Sequence, residues 1–113
     1  MATKANLVID QGTTFSTTLN LTDENGDILQ LGGFTANSQI RKWYTSSNSV
    51  SFVTAINIDS GTITLSLNAN TTNNLVAGRY VYDVEITELS TNAVSRVVEG
   101  VITVTPSVTK WPM

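Results

Sequence analysis

The chain has 113 residues, 41% of them hydrophobic and 13% charged, with a net charge of −3. That is one domain's length with enough apolar content for a packed core, which excludes a disordered chain. The six Lys and Arg are scattered, which excludes the basic stripe that nucleic acid requires and the polybasic patch of a membrane anchor.

No cysteine and no histidine occur. Disulfides and thiolate metal sites are therefore ruled out, and the side chain most used as a general base near neutral pH is missing. Small polar residues replace the charge: 18 Thr, 11 Ser and 11 Asn. Thr favours strands, while Asn and Ser favour turns. The opening MATKANLVID lacks the apolar run of a signal peptide, and no stretch approaches the ~20 residues of a membrane helix. The expectation is a soluble protein made in the cytoplasm.

In chain order, Asn6 to Ile9 is a short apolar start. Phe15, Thr17, Leu19 and Leu21 alternate with Ser16, Thr18 and Asn20, the period of a strand with one buried face. Asn25-Gly26 within DENGD predicts a hairpin turn, and Ile28–Leu31 a short strand ended by Gly32-Gly33. Phe34, Ala36, Ser38 and Ile40 form the inward phase of the next strand, which bends or ends near Lys42. Val50, Phe52, Ile56 and Ile58 carry another alternation, turned by Asp59-Ser60-Gly61 into Ile63, Leu65 and Leu67. Asn68–Asn74 predicts a turn of helix or an ordered loop. Tyr80, Tyr82, Val84 and Ile86 share one face of a strand, and Val81, Asp83, Glu85 and Thr87 the other. Leu89–Asn92 turns the chain into a last strand from Val94 to Val104, where Gly100 marks a bulge or a close backbone approach and Pro106 a stop.

Seven to nine short strands at this spacing predict an all-β protein, an immunoglobulin-like antiparallel β-sandwich. The domain runs over 7–106, with a lead-in at 1–6 and a tail at 107–113. In such sandwiches a tyrosine near the start of the penultimate strand turns its hydroxyl back to the chain upstream and pins a corner between the sheets. Tyr80 takes that role, Tyr82 fills core two residues on, and Gly78 frees the backbone at the strand's start.

The run GRYVYDVEIT, followed by SRVVEGVITVTPSVT, resembles the closing half of small Ig-like domains in virion proteins of tailed bacteriophages. The stretch LVIDQGTTFSTTLNLTDENGDILQLGGFTANSQIRK resembles the first half of the same group: Asp-x-Gly, a strand, a turn, then an Ala-x-x-x-Ile-Arg strand. The layout is similar to the N-terminal domain of phage baseplate upper proteins and covers residues 7 to 109. The resemblance implies a non-enzymatic structural or accessory virion protein of baseplate, tail or capsid decoration, located in the virion, with other virion proteins as partners and no cofactor. In the baseplate proteins further segments follow the domain; the short tail here favours a stand-alone accessory or decoration protein.

No catalytic or metal site is expected. Asp23, Glu24, Asn25 and Asp27 are the densest oxygen cluster, but calcium loops of the EF-hand kind need twelve residues, and this stretch reads as a solvated hairpin. Asp83, Glu85 and Glu99 fall on outward phases of neighbouring strands, where Arg41, Arg79 and Arg96 can pair with them. No Gly-x-Ser-x-Gly occurs, and Gly32-Gly33 lacks the Gly-Lys that follows in a phosphate loop. The tail residues Trp111, Pro112 and Met113 suggest an interface, since aromatic and Met residues are enriched there. Trp43 is out of phase with Ile40: exposed it would anchor a partner, while a bulge would turn it into the core, the placement expected here. Self-association around a symmetry axis and strand-to-strand pairing at Thr-rich edges are further expectations. The rival reading is a carbohydrate-binding or adhesin-like module, with Trp43 and Tyr44 beside Asn48 as its platform and a host-surface glycan as its ligand.

Overall fold

The computed structural model describes residues 3–23, 25–43 and 46–108. Its strands are β1 (Thr3–Lys4), β2 (Leu7–Asp10), β3 (Phe15–Asn20), β4 (Phe34–Arg41), β5 (Val50–Ser51), β6 (Val53–Asn57), β7 (Thr62–Leu67), β8 (Gly78–Glu88) and β9 (Val94–Thr105), with one helix, α1 (Ala69–Asn73). The alternating segments sort into two sheets. One has the order β1-β9-β8-β4-β5, with β2 also beside β9; the other has the order β3-β7-β6. The longer strands turn their apolar phases to a single core, where Ile63 and Leu65 of one sheet meet Ile40, Val84 and Ile102 of the other. This is the immunoglobulin-like β-sandwich that the sequence predicts.

The larger sheet is mixed rather than wholly antiparallel, because β1 and β2 run parallel to β9. Alternation shows which face a residue takes, not the direction of its neighbour. Residues 3–4, which the sequence assigns to the lead-in, form one of these parallel pairings.

The alternation from Val50 to Ile58 does not make one strand. β5 pairs with β4 in one sheet and β6 with β7 in the other, so the chain changes sheets at Phe52. The Phe52 N–H donates to the Ser38 carbonyl at 3.0 Å, and the Thr54 hydroxyl donates to the Ala36 carbonyl at 2.9 Å. Phe52 itself is buried, 5.9 Å from the Phe15 ring and 6.2 Å from the Tyr82 ring, the latter edge-on. Ile58 is exposed, because the turn has already begun at Asn57, whose Oδ1 accepts the Ser60 N–H.

Ile28–Leu31 is not a strand. It makes one isolated bridge, Thr22 to Ile28, and the Leu29 N–H donates to the Leu21 carbonyl at 3.1 Å. The segment closes over Gly61, where a Cβ would lie 2.2 Å from the Ile28 methyl. Asn68–Asn74 holds α1, with the Asn68 side chain accepting the Thr71 N–H at 2.8 Å as its N-cap.

Gly100 is a place of close approach rather than a bulge. It stands opposite Tyr82, and a Cβ there would lie 2.1 Å from the Ala5 carbonyl oxygen. The bulge is at Val97, where the register of β8 and β9 shifts between Val84 and Glu85.

Gly100→Ala should therefore push the β1–β2 segment off β9 and lower stability by about 1–3 kcal/mol in urea unfolding. Gly32→Ala, where a Cβ meets nothing within 4 Å, should stay within about 0.5 kcal/mol of the parent. Equal effects of the two substitutions would refute the close-approach account.

Candidate functional site

Among the described residues the surface carries three features that function could use: a pinned corner, a charged sheet face and an exposed indole.

The corner forms where the chain leaves α1 for β8. Gly78 has φ +141°, a conformation that L side chains rarely adopt. Two residues on, the Tyr80 hydroxyl donates to the Val76 carbonyl at 2.6 Å. Gln11 adds a bond from Nε2 to the Leu75 carbonyl at 2.7 Å, and the Thr72 hydroxyl donates to the Thr13 carbonyl at 2.7 Å. These bonds lash the corner to the turn after β2. Lys42 Nζ sits 4.9 Å above the Tyr80 ring as a cation–π contact. Tyr82 points inward, is 3% exposed, and donates its hydroxyl to the Ala5 carbonyl at 2.6 Å.

The outer face of the larger sheet collects the predicted acids. Asp83 pairs in register with Glu99 and Gln39, and Glu85 with Arg96 and Asn37. Arg96 reaches diagonally to Asp83, Nε to Oδ2 at 3.1 Å, and its Nη1 lies 3.8 Å from Glu99 Oε1. Such solvated pairs contribute about 0–1 kcal/mol. Arg41 does not join these acids; its guanidinium bonds the Ser46 carbonyl and Gln39 Oε1. An open cleft of about 450 Å³ lies here, lined by Asn37, Gln39, Arg41, Asp83, Glu85 and Arg96 among others. Asn37 and Gln39 belong to no motif, and their outward phase beside Ser38 and Ile40 is the one signal of them that the sequence carries. With Asp83 already paired to Arg96 and amides at Asn37 and Gln39, the cleft is suited to hydrogen bonding with a polar partner.

The DENGD turn uses its own oxygens. Asp23 Oδ1 accepts the Asn25 and Asp27 N–H groups at 2.9 and 3.0 Å. Among the described residues no group of three or more acids is placed to hold a metal ion, and no helix is long and apolar enough to cross a membrane.

Trp43 lies outside the core, 60% exposed. This corrects the expected core position. β4 ends at Arg41 with no bulge to rotate the indole inward, and buried Phe52 already spans the two sheets. The Trp43 carbonyl accepts the Ser46 N–H at 2.9 Å, and the Ser46 hydroxyl donates to the Asn48 carbonyl at 3.2 Å. Trp111, Pro112 and Met113, together with Glu24 and Tyr44, lie outside the described residues.

No family model matches the chain, and no curated protein matches it in sequence. Solved structures do match in fold. Transglutaminase of red sea bream aligns over 88% of this chain with a TM-score of 0.60 and 16% identity. The chain spans about 15% of that protein's length, and at this identity the likeness shows the β-sandwich fold alone. Fold and surface together define a β-sandwich module.

Burial pushes the Tyr82 phenol from 10.0 up to about 12. Burial also raises Tyr80, with the bond to Val76 working the other way. A folded value above the unfolded one means that the neutral phenol's stabilisation is complete below pH 10 and is lost as pH rises towards about 12. Tyr82→Phe should remove the larger part of that alkaline loss, leaving the part due to Tyr80, in unfolding measured from pH 8 to 12, and should cost about 1–3 kcal/mol at neutral pH by orphaning the Ala5 carbonyl. Tyr80→Phe should cost less, about 0.5–1.5 kcal/mol. An unchanged alkaline profile in Tyr82→Phe would exclude this phenol as the cause.

Proposed function

We propose that this chain is a non-enzymatic structural or accessory protein of a tailed-phage virion, acting through protein–protein contacts in baseplate, tail or capsid decoration. The virion assignment rests on the resemblance of GRYVYDVEIT and SRVVEGVITVTPSVT to phage Ig-like domains. The observation that supports action through a surface is Trp43, an indole exposed at the end of β4 and backed by the Arg41–Ser46–Asn48 bonds. Tryptophan loses little conformational freedom on docking and dominates the energetics of many interfaces. A backbone already held in place lowers the ordering cost further.

The test is incorporation. Particles purified by density gradient from cells that carry the chain's native genome should contain it by mass spectrometry. A Trp43→Ala chain should be folded by circular dichroism, yet depleted from particles by at least about tenfold, the loss expected of a central aromatic anchor. Absence of the parent chain from particles would overturn the virion reading. Normal incorporation of Trp43→Ala would remove the indole from the contact.

One observation favours a second reading, a carbohydrate-binding or adhesin-like module: the exposed Trp43 has exposed Ser47 and Asn48 close in sequence. A flat indole with polar neighbours suits the face of a sugar ring. A glycan array distinguishes the two, because glycan binding that disappears in Trp43→Ala supports this reading and an array without signal rejects it.

A further inference from the structure

A sheet edge exposes a row of backbone donors and acceptors, and proteins guard such rows with charge, proline, bulges or brevity. Here most edges are guarded. β5 is two residues long. β6 is tied towards β4 by the Thr54 hydroxyl bond to the Ala36 carbonyl. The β1–β2 edge carries Lys4 and Asp10 and is interrupted at Ala5–Asn6.

β3 has none of these devices. Its sequence FSTTLN contains no charge and no proline, and its register with β7 runs unbroken from Phe15–Leu67 to Asn20–Thr62. The next residue, Leu21, donates its N–H to the Gly61 carbonyl at 3.0 Å. In an antiparallel pair the bonded residues alternate, so Phe15, Thr17 and Leu19 bond β7. The N–H and C=O groups of Ser16, Thr18 and Asn20 then point away from it. The Thr18 and Thr64 hydroxyls lie 3.1 Å apart, which agrees with a non-bonded pair, where side chains come closest. Among the described residues no partner reaches these outward backbone groups.

We infer that β3 is a dimerisation edge, at which two copies of this chain pair antiparallel about a two-fold axis through Thr18. The symmetry argues for a second copy as the occupant. About that axis Thr18 meets Thr18 of the second copy and Ser16 meets Asn20. All three are outward residues, so the three donors of each copy give six backbone bonds. The outward side chains are small and uncharged, so no desolvated charge opposes contact. Asp23, the nearest acid beyond the strand, falls opposite Thr13 of the second copy rather than opposite another carboxylate. The two three-stranded sheets become one continuous sheet. The inference stands apart from the virion reading, since it needs no other protein.

The experiment exploits the axis. The purified chain should run in light scattering at twice 12.2 kDa. Thr18→Lys places two ammonium groups directly opposite each other, and Thr18→Glu two carboxylates. Each variant alone should weaken the dimer by at least about tenfold, the effect of like charges facing across an interface. Mixed in equal amounts, the two should restore it as a Lys–Glu heterodimer. Thr18 is exposed, so each variant should keep the parent's circular dichroism and melting temperature measured at dilution. A parent that stays at 12.2 kDa throughout, a Thr18→Lys chain as dimeric as the parent, or a mixture that stays monomeric would each overturn the inference.

Discussion

The contact on which the larger sheet depends is the Tyr82 hydroxyl bond to the Ala5 carbonyl, made across the bare backbone of Gly100. A buried phenol without a partner would cost about 1–3 kcal/mol, and so would the orphaned carbonyl; together they satisfy each other. The bond joins residues 77 apart in sequence. It seats the start of the chain on β9 at the point where that segment is weakest. There Ala5 donates to the Glu99 carbonyl at 2.9 Å, and the Asn6 side chain accepts the Val101 N–H at 3.0 Å in place of a backbone carbonyl. A side-chain amide bridges the break between β1 and β2, so both can lie parallel to β9 although the chain between them leaves strand geometry. Any residue but glycine at 100 would fill the space that Ala5 occupies.

The same tyrosine joins that edge to the sandwich interior. Its ring meets Phe52, and Phe52 meets Phe15, so three aromatics cross from the six-stranded sheet to the three-stranded one. Phe52 is also where the chain passes between sheets, with its N–H still bonded to β4. Burying a large ring at the crossing allows the backbone to leave one ladder and join the other within a single residue. At the opposite passage, from β7 to β8, α1 and the Tyr80–Val76 bond do the equivalent work.

What was legible in the sequence follows from what a period of two encodes. The inward phases of β3, β4, β7 and β8 were readable because each residue pair alternates apolar with polar. The tyrosine positions were readable because a corner has a spacing of its own. The parallel pairing of β1 and β2 was not, since direction leaves no mark on alternation. The split between β5 and β6 was hidden because Val50, Phe52 and Ile56 keep their phase while the chain changes sheets. Ile28–Leu31 has strand-like composition, yet Gly61 draws it into a tight irregular closure that only the fold reveals. Trp43 reads as core because aromatic size argues for burial, whereas its phase, two residues past the end of β4 and out of step with Ile40, argues for solvent. Of the charged cleft, Asp83, Glu85 and Arg96 were visible as outward residues. Their meeting depends on the Val97 bulge, which alternation does not predict.

The distribution of charge separates the two faces. No residue of β3, β6 or β7 is charged, whereas the outward positions of β4, β8 and β9 carry Arg41, Arg79, Asp83, Glu85, Arg96 and Glu99. A chain that needed only solubility could scatter its charge over both faces. Concentrating it on the larger sheet leaves the smaller one with Ser, Thr, Asn, Val and Ala outward, side chains that lose little entropy and have no ionic hydration to give up. The Arg96 pairs do the opposite on the other face, holding charge in place and keeping it wet. A molecule built this way has one face that favours water or a charged partner and one that is cheap to desolvate. The Thr-rich composition is therefore more than a strand preference: it makes the smaller sheet and its edge the part of the surface where burial meets least resistance.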